Sequence, residues 1–329
     1  MTTLVTGATG FACVHIVRAL AEAGEQVIAL DLTPPDAAIS SYLAHVQDRV
    51  RFVRGDVLDT DAMLALAREH RPERFVHGAA ITPTPEIEKA DPRRVVDVNL
   101  MGTVNLLEAA RRVDARRFVF TGSSGVYASP SVAVHALTEG SPVQTAGLYS
   151  ICKLACEAIL DRYRGLFGLS TVTGRMSSIY GPMERATATR RRPSTIYSLV
   201  RACLEQRPVI VRGRQYRRTF TRAEDAATIW RDLTLADKLE HNIYNVSAGV
   251  AYSLEEVLQA LKRAAPAFRF SDAQPDQEAD VEISSQGERP ALDMRRARDE
   301  FRFEPAYSLQ QGIESYLVWA SENREIFQA

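Results

Sequence analysis

Long hydrophobic runs are missing from this chain. None approaches the roughly 20 apolar residues that cross a bilayer, so no membrane span is expected. The opening MTTLVTG has no charged region ahead of an apolar stretch, which argues against a secretory leader. Cysteine is scarce. The four present, Cys13, Cys152, Cys156 and Cys203, form no C-x-x-C pair and no zinc spacing. Reduced, packed thiols, no metal site and a cytoplasmic location are the expectation. An excess of charge is also absent, with 40 basic against 41 acidic side chains and a formal net charge of -1. A reader of phosphate backbones would be far more basic, so nucleic acid is not an expected partner. Low-complexity tracts and internal repeats are lacking as well.

What is present is alternation. Short apolar runs at 3–6, 26–30, 50–53, 74–77, 118–121 and 170–175 are separated by amphipathic patterns at about 11–23, 60–70, 93–112 and 148–166. This is the pattern of βαβ units, and it predicts an α/β fold with a doubly wound parallel sheet of the Rossmann type. The strands are continuously apolar, as strands covered on both faces are. After Tyr180-Gly181-Pro182 the rhythm changes. An arginine-rich stretch at 183–193 precedes a helix near 195–206, a strand at 208–211 and a helix from about 223. A strand at 242–246 and helices at about 253–263 and 293–300 complete the reading. The expected organisation is a main domain over 1–175, rejoined by about 220–246. Most of 176–329 then forms a smaller C-terminal substrate-binding lobe at the edge where open α/β sheets bind ligands.

The first strand runs into Thr6-Gly7-Ala8-Thr9-Gly10-Phe11 and a helix. Glycines here let the backbone turn and approach a pyrophosphate, and the helix N-terminus supplies free N–H groups. A third glycine would complete the G-x-x-G-x-x-G rhythm, and Cys13 stands in its place. That position serves helix–strand packing. The expectation is therefore a slightly displaced helix, with weaker dinucleotide binding that Cys13→Gly would tighten. The second strand ends in Asp31, where a carboxylate takes the ribose hydroxyls and repels a 2′-phosphate, favouring NAD over NADP. Asp56 in GDVLD is placed for the adenine edge. Asn99, a polar residue on an apolar helix, needs an internal partner and reads as structural support for the cofactor set. His77 is given no chemical role.

FVFTGSSGVYA closes a strand with Ser123 and Ser124, and YSICK places Tyr149 and Lys153 at i and i+4 on one helix face. A phenol ordinarily holds its proton at neutral pH. A neighbouring ammonium and a positive nicotinamide ring both favour the phenolate. Tyr149 then reads as the base that takes a substrate hydroxyl proton while hydride leaves the same carbon. Lys153 would also hold the nicotinamide ribose, and Ser123 would steady the reacting oxygen.

Taken in order, TGATGF, Asp31, GDV, HGAA, NLMGT, TGSS, YSICK, GRMSSIYGP, RTFTRAEDAA and LDMRRARDEFRFEP make the whole chain resemble the extended short-chain dehydrogenase/reductases, the NAD-dependent epimerase/dehydratase family. The resemblance implies an NAD set of Gly7, Thr9, Gly10, Phe11, Asp31, Asp56, Val57, Ala79 and Asn99, shared with Tyr149 and Lys153. It also implies catalysis by Ser123, Tyr149 and Lys153, and a homodimer through the helices around 93–112 and 148–166. Dehydratases of the family carry Asp and Glu after the catalytic hydroxyl residue, and decarboxylating members keep a Glu at the second position. Here Ser124 and Gly125 follow, which disfavours elimination and decarboxylation.

Arginines cluster at 185, 190, 191 and 192 and again at 212, 214, 217 and 218. Guanidinium groups grip phosphate or carboxylate bidentately. The substrate set is read as Ser124, Arg185, Arg192 and Arg218, and the substrate as a small anionic molecule. Arg289 lies four residues before Asp293, closer than in nucleotide-sugar epimerases, which keeps a sugar acid open. Three functions remain: an NAD-dependent epimerase of a sugar or nucleotide sugar, an NAD-dependent dehydrogenase of a sugar acid or hydroxy acid, and a catalytically silent NAD-binding protein.

Overall fold

In the computed structural model of the chain, residues 1–128, 135–187 and 189–327 are described. The first half runs β1 (Thr2–Thr6), α1 (Phe11–Glu22), β2 (Gln26–Asp31), α2 (Ala37–Tyr42), β3 (Val50–Arg54), α3 (Thr60–His70) and β4 (Arg74–His77). It continues through α4 (Pro85–Ala90), α5 (Pro92–Val96), α6 (Gly102–Arg112), β5 (Arg117–Ser123), β6 (Ala136–Leu137), α7 (Leu148–Phe167) and β7 (Thr171–Met176). Then come β8 (Ser178–Tyr180), α8 (Thr195–Leu204), β9 (Val209–Arg212), β10 (Arg217–Arg222), α9 (Ala223–Leu235), β11 (Ile243–Val246) and β12 (Ala251–Ser253). The chain ends with α10 (Leu254–Ala264), β13 (Phe270–Asp272), β14 (Val281–Glu282), β15 (Ala291–Leu292), α11 (Arg295–Phe301) and α12 (Leu309–Glu322).

Seven parallel strands form the main sheet in the order β3-β2-β1-β4-β5-β7-β11. Such a sheet is buried on both faces, and Leu4, Val5, Val76, Val119 and Val172 are each 1% exposed or less. The chain leaves β1 toward β2 on one side and returns to β4 on the other. This switch opens a crevice at the carboxyl ends of β1 and β4, the place where open α/β sheets hold ligands. Gly7 and Gly78 are each the first residue past these ends.

Part of the second half belongs to this sheet. β11 pairs with β7, and α9 packs against α1. Gly174 in β7 leaves the space that the buried Trp230 of α9 fills, since a Cβ there would overlap the indole. Smaller sheets, β12-β10-β8 and β13-β9-β14, build the lobe beside the crevice.

Two departures from the sequence reading have physical causes. The helix expected over 93–112 is interrupted by a π-helical turn at Asp97–Met101. This turn carries Asn99, whose carboxamide pairs with the backbone of Ile81 (3.0 Å from its N–H, 2.9 Å to its C=O). The fourteen-residue α12 was not expected. Its glycine, Gly312, breaks the apolar pattern because a Cβ there would overlap the Tyr180 hydroxyl. No helix among the described residues is long and apolar enough to cross a membrane.

Candidate active site

The glycine turn is fixed by contacts that exclude side chains. Gly7 has φ +69°, and a Cβ on it would stand 2.7 Å from the Ala79 amide nitrogen. Gly10 donates to the Gly7 carbonyl at 2.9 Å and caps α1 without any side-chain cap. The first amides of α1 are therefore left for a ligand. This cradle, which side chains would fill, fits a dinucleotide pyrophosphate.

Cys13 is given room by the residue it faces. Its sulfur occupies the place where a side chain on residue 78 would lie, and residue 78 is glycine. Asp31 closes β2 beside the turn, accepting from the Thr9 N–H at 3.0 Å and the Thr33 N–H at 3.3 Å.

Ser123, Tyr149 and Lys153 line one cavity of about 640 Å³ together with Gly7, Thr9, Gly10 and Phe11. β5 delivers Ser123 at its last residue, and the first turns of α7 deliver the other two. The Lys153 ammonium is buried (2% exposed) and donates to the Thr121 carbonyl at 2.7 Å. It lies 4.5 Å from the Phe120 ring centroid and 5.6 Å from that of Tyr149. Ser123 Oγ accepts from the Gly125 N–H at 3.1 Å, which leaves its own O–H free to donate into the cavity.

The remaining expected cofactor residues lie around the cavity rather than on its wall. Asp56 accepts from the Leu58 N–H (2.9 Å), Val57 is buried against Gly102, and Ala79 backs Gly7. Asn99 gives its carboxamide to the Ile81 backbone and so shapes the loop after β4. His77, buried between Thr6 and Thr103 at 2.7 and 3.1 Å, packs the floor. Burial and then the nearby Lys153 ammonium push its pKa down to about 3, so it stays neutral.

Of the arginines, Arg185, Arg190, Arg192 and Arg218 line the cavity. Arg214 and Arg217 form ion pairs with Glu255 and Asp272 and with Glu256, respectively, away from its wall, whereas Arg212, itself off the wall, pairs with Glu282, which lines it. Ser124 is not on the wall either, whereas Met176, Ser177 and Ser178 are. Sequence reasoning missed Thr82, Thr187, Thr189, Ser194 and Thr195, which give the wall a row of hydroxyls. For all but Thr82 the signal, Thr and Ser interleaved with or just after the arginines at 185–192, was overshadowed by the charges. Among the described residues no cluster of His, Cys, Asp or Glu could hold a metal ion.

The description "NAD dependent epimerase/dehydratase family" belongs to a family model that matches residues 3–247. A UDP-glucose 4-epimerase of Mycolicibacterium smegmatis is 30% identical over 327 residues, 95% of this chain and 96% of that protein. A dTDP-glucose 4,6-dehydratase of Xanthomonas campestris pv. campestris is 27% identical, over 98% of this chain and 94% of the other. A crystal structure of the Thermus thermophilus UDP-glucose 4-epimerase in complex with NAD superposes with a TM-score of 0.77 at 25% identity, covering 100% of this chain and 99% of that one.

Proposed function

Because the chain belongs to the NAD-dependent epimerase/dehydratase family and is an NAD-dependent enzyme of its extended short-chain type, we propose that it epimerises a nucleotide sugar or sugar through a transient ketone, with Tyr149 as base. One observation carries this reading. Ser123, Tyr149 and Lys153 share a cavity with the glycine turn, and Glu282 is the one carboxylate among the described residues on its wall. An elimination needs an acid–base pair beside the substrate, and this wall does not offer one.

Gly7, Gly10 and the α1 amides would hold the pyrophosphate of NAD and Asp31 its adenosine ribose, and the dinucleotide would supply a reversible hydride acceptor there. Tyr149 Oη takes the proton of the substrate hydroxyl as the carbon–oxygen double bond forms, and gives it back on reduction. The Lys153 ammonium stabilises the phenolate form of Tyr149 that accepts this proton. Ser123 Oγ–H donates to the reacting oxygen, where charge develops. Return of hydride to the opposite face requires the ketone to turn over within the cavity, whose hydroxyl-rich wall offers alternative hydrogen bonds. Arg192 and Arg218 would hold an anionic substrate. A second copy of the chain, packed on the face where Ile151, Leu166 and Phe167 of α7 are exposed, completes the reading as a homodimer.

A sugar-acid dehydrogenase is the second reading. It is favoured by Arg289, which gives its guanidinium to the Gln286 and Glu288 carbonyls and does not line the cavity. The test is incubation with uridine-, guanosine- and thymidine-diphosphate sugars and free sugar acids, with and without added NAD, followed by product chromatography and NADH absorbance. Conversion without added cofactor supports epimerisation. Turnover that consumes NAD stoichiometrically overturns it in favour of the dehydrogenase.

A further inference from the structure

Arg185 has an occupation that an anion grip does not explain. Its Nη1 lies 2.5 Å from Asp36 Oδ2. Asp36 is the N-cap of α2, where its carboxylate also accepts from the Ile39 N–H at 2.9 Å, five residues past Asp31. Partial burial pushes the Asp36 carboxyl up, but the Ile39 amide and the Arg185 guanidinium outweigh this and hold it below the ordinary carboxylate value. Arg185 comes from the opposite side of the crevice, in the stretch after β8, and lines the cavity with Thr9 and Gly10. The ion pair therefore joins the lobe to the ribose end of the dinucleotide cleft. The pairs of Arg214 with Glu255 and Asp272, by contrast, join neighbouring elements of one lobe.

The backbone that carries Arg185 is anchored. Glu184, 0% exposed, accepts from the Ser194 N–H (2.6 Å), the Ser194 hydroxyl (2.8 Å) and Arg190 (2.9 Å). The Arg190 guanidinium lies 5.1 Å from the ring centroid of Phe11, the first residue of α1. Thr82, in the loop after β4, donates its N–H to the Thr189 carbonyl at 2.9 Å. Attachments at α1, α2 and the β4 loop thus surround the mouth above Gly7 and Gly10.

We propose that the Asp36–Arg185 ion pair is a latch over the adenosine side of the cleft that slows NAD release, with Glu184 and Arg190 as positioning residues that hold Arg185 in reach. This rests on NAD binding at the glycine turn, and it deepens the epimerase reading, in which cofactor is kept from one turnover to the next. A contact made across a closed mouth and absent from the open one acts on departure more than on arrival.

The experiment loads the purified protein with NADH, chases with excess NAD and follows nicotinamide fluorescence in stopped flow. The variants are Asp36→Asn, which retains a good N-cap, Arg185→Gln, and the two together. With one side chain 48% and the other 21% exposed, each single variant should release NADH about fivefold faster, the range of a partly exposed ion pair. The double variant should match the singles, because one contact is lost in all three. Release unchanged within twofold in both singles overturns the latch. So does an Arg185→Gln protein whose release is unchanged while its KM for an anionic sugar rises, since that assigns Arg185 to substrate. The assay reads cofactor alone. A wild type that demands free NAD at every turnover would sink the epimerase reading and leave the fold-change from the latch intact.

Discussion

Cys13 and Gly78 complement each other across the crevice between α1 and the end of β4: the sulfur of one fills the space that the missing side chain of the other leaves. The sequence read alone makes Cys13 look like damage to a glycine motif. With its partner in view it is a volume exchange. Burial, helped by the nearby Asp31, pushes the Cys13 thiol up to about 12, so the group is a neutral filler with no chemistry of its own.

The exchange predicts a rescue. Gly78→Ala overpacks the crevice and should cost about 1–3 kcal/mol of unfolding free energy, with loss of NAD affinity because both residues line the cavity. Cys13→Gly opens a void in a helix and should cost roughly 1–2 kcal/mol, without tightening NAD. The double variant Cys13→Gly/Gly78→Ala should recover at least half of the Gly78→Ala loss in urea titrations. Additive losses would show that the two side-chain volumes are independent.

The same pair shows what a chain read alone can carry. The positions of Gly7, Gly10, Asp31, Tyr149 and Lys153 around the glycine turn and its cavity were legible because each is set by local spacing within a strand–turn–helix unit or one helix face. The parallel sheet was legible for the same reason, through its alternating periods. Partners distant in sequence were not. Gly78 relieves Cys13, Asn99 serves Ile81 and Asp36 holds Arg185, and no pattern in the sequence joins these positions. Arg218 and Arg214 look alike in composition, yet one lines the cavity while the other pairs with Glu255 and Asp272. The folded lobe decides which arginine is free for a ligand.

Tyr149→Phe removes the proposed base and keeps the ring beside Lys153. Turnover should fall by 10²–10⁴-fold, the usual contribution of a positioned proton-transfer group. NADH binding by fluorescence titration should stay within about threefold of wild type. A variant with wild-type kcat would strip Tyr149 of its role, and one that loses cofactor binding equally would make it a binding residue.

α7 is held to the sheet by a buried ion pair. Arg175 of β7 donates through Nε and Nη2 to both carboxylate oxygens of Glu157, at 3.0 and 2.7 Å, with side chains 4% and 6% exposed. Glu157 sits one helical turn beyond Lys153 on the same helix. Glu157→Gln strands a buried guanidinium beside a neutral amide and should cost about 3–5 kcal/mol in urea unfolding. The apolar double replacement Glu157→Leu/Arg175→Met should cost less than that single change. If it costs more, the pair contributes net stability beyond avoiding an orphaned charge. Turnover should fall in both variants more than NADH affinity does, because the ion pair sets the position of the helix that carries Tyr149.

Stability should also depend on His77. Its native pKa of about 3 lies well below the ordinary value of 6.5, so between these limits the unfolded chain binds a proton that the native protein refuses. Unfolding free energy must then decrease as pH falls through this window, by up to about 1.4 kcal/mol per unit, and level off above it. His15, buried between the Pro182 carbonyl and the Tyr42 hydroxyl, is shifted in the same direction by its own desolvation and adds to the slope. Comparing pH 6.5 with pH 5 avoids most carboxylate titration. In that interval His77→Gln should reduce the slope, whatever it does to stability at neutral pH through Thr6 and Thr103. An unchanged slope would mean that His77 accepts a proton in the native protein, and that the floor beneath Lys153 tolerates a second buried positive charge.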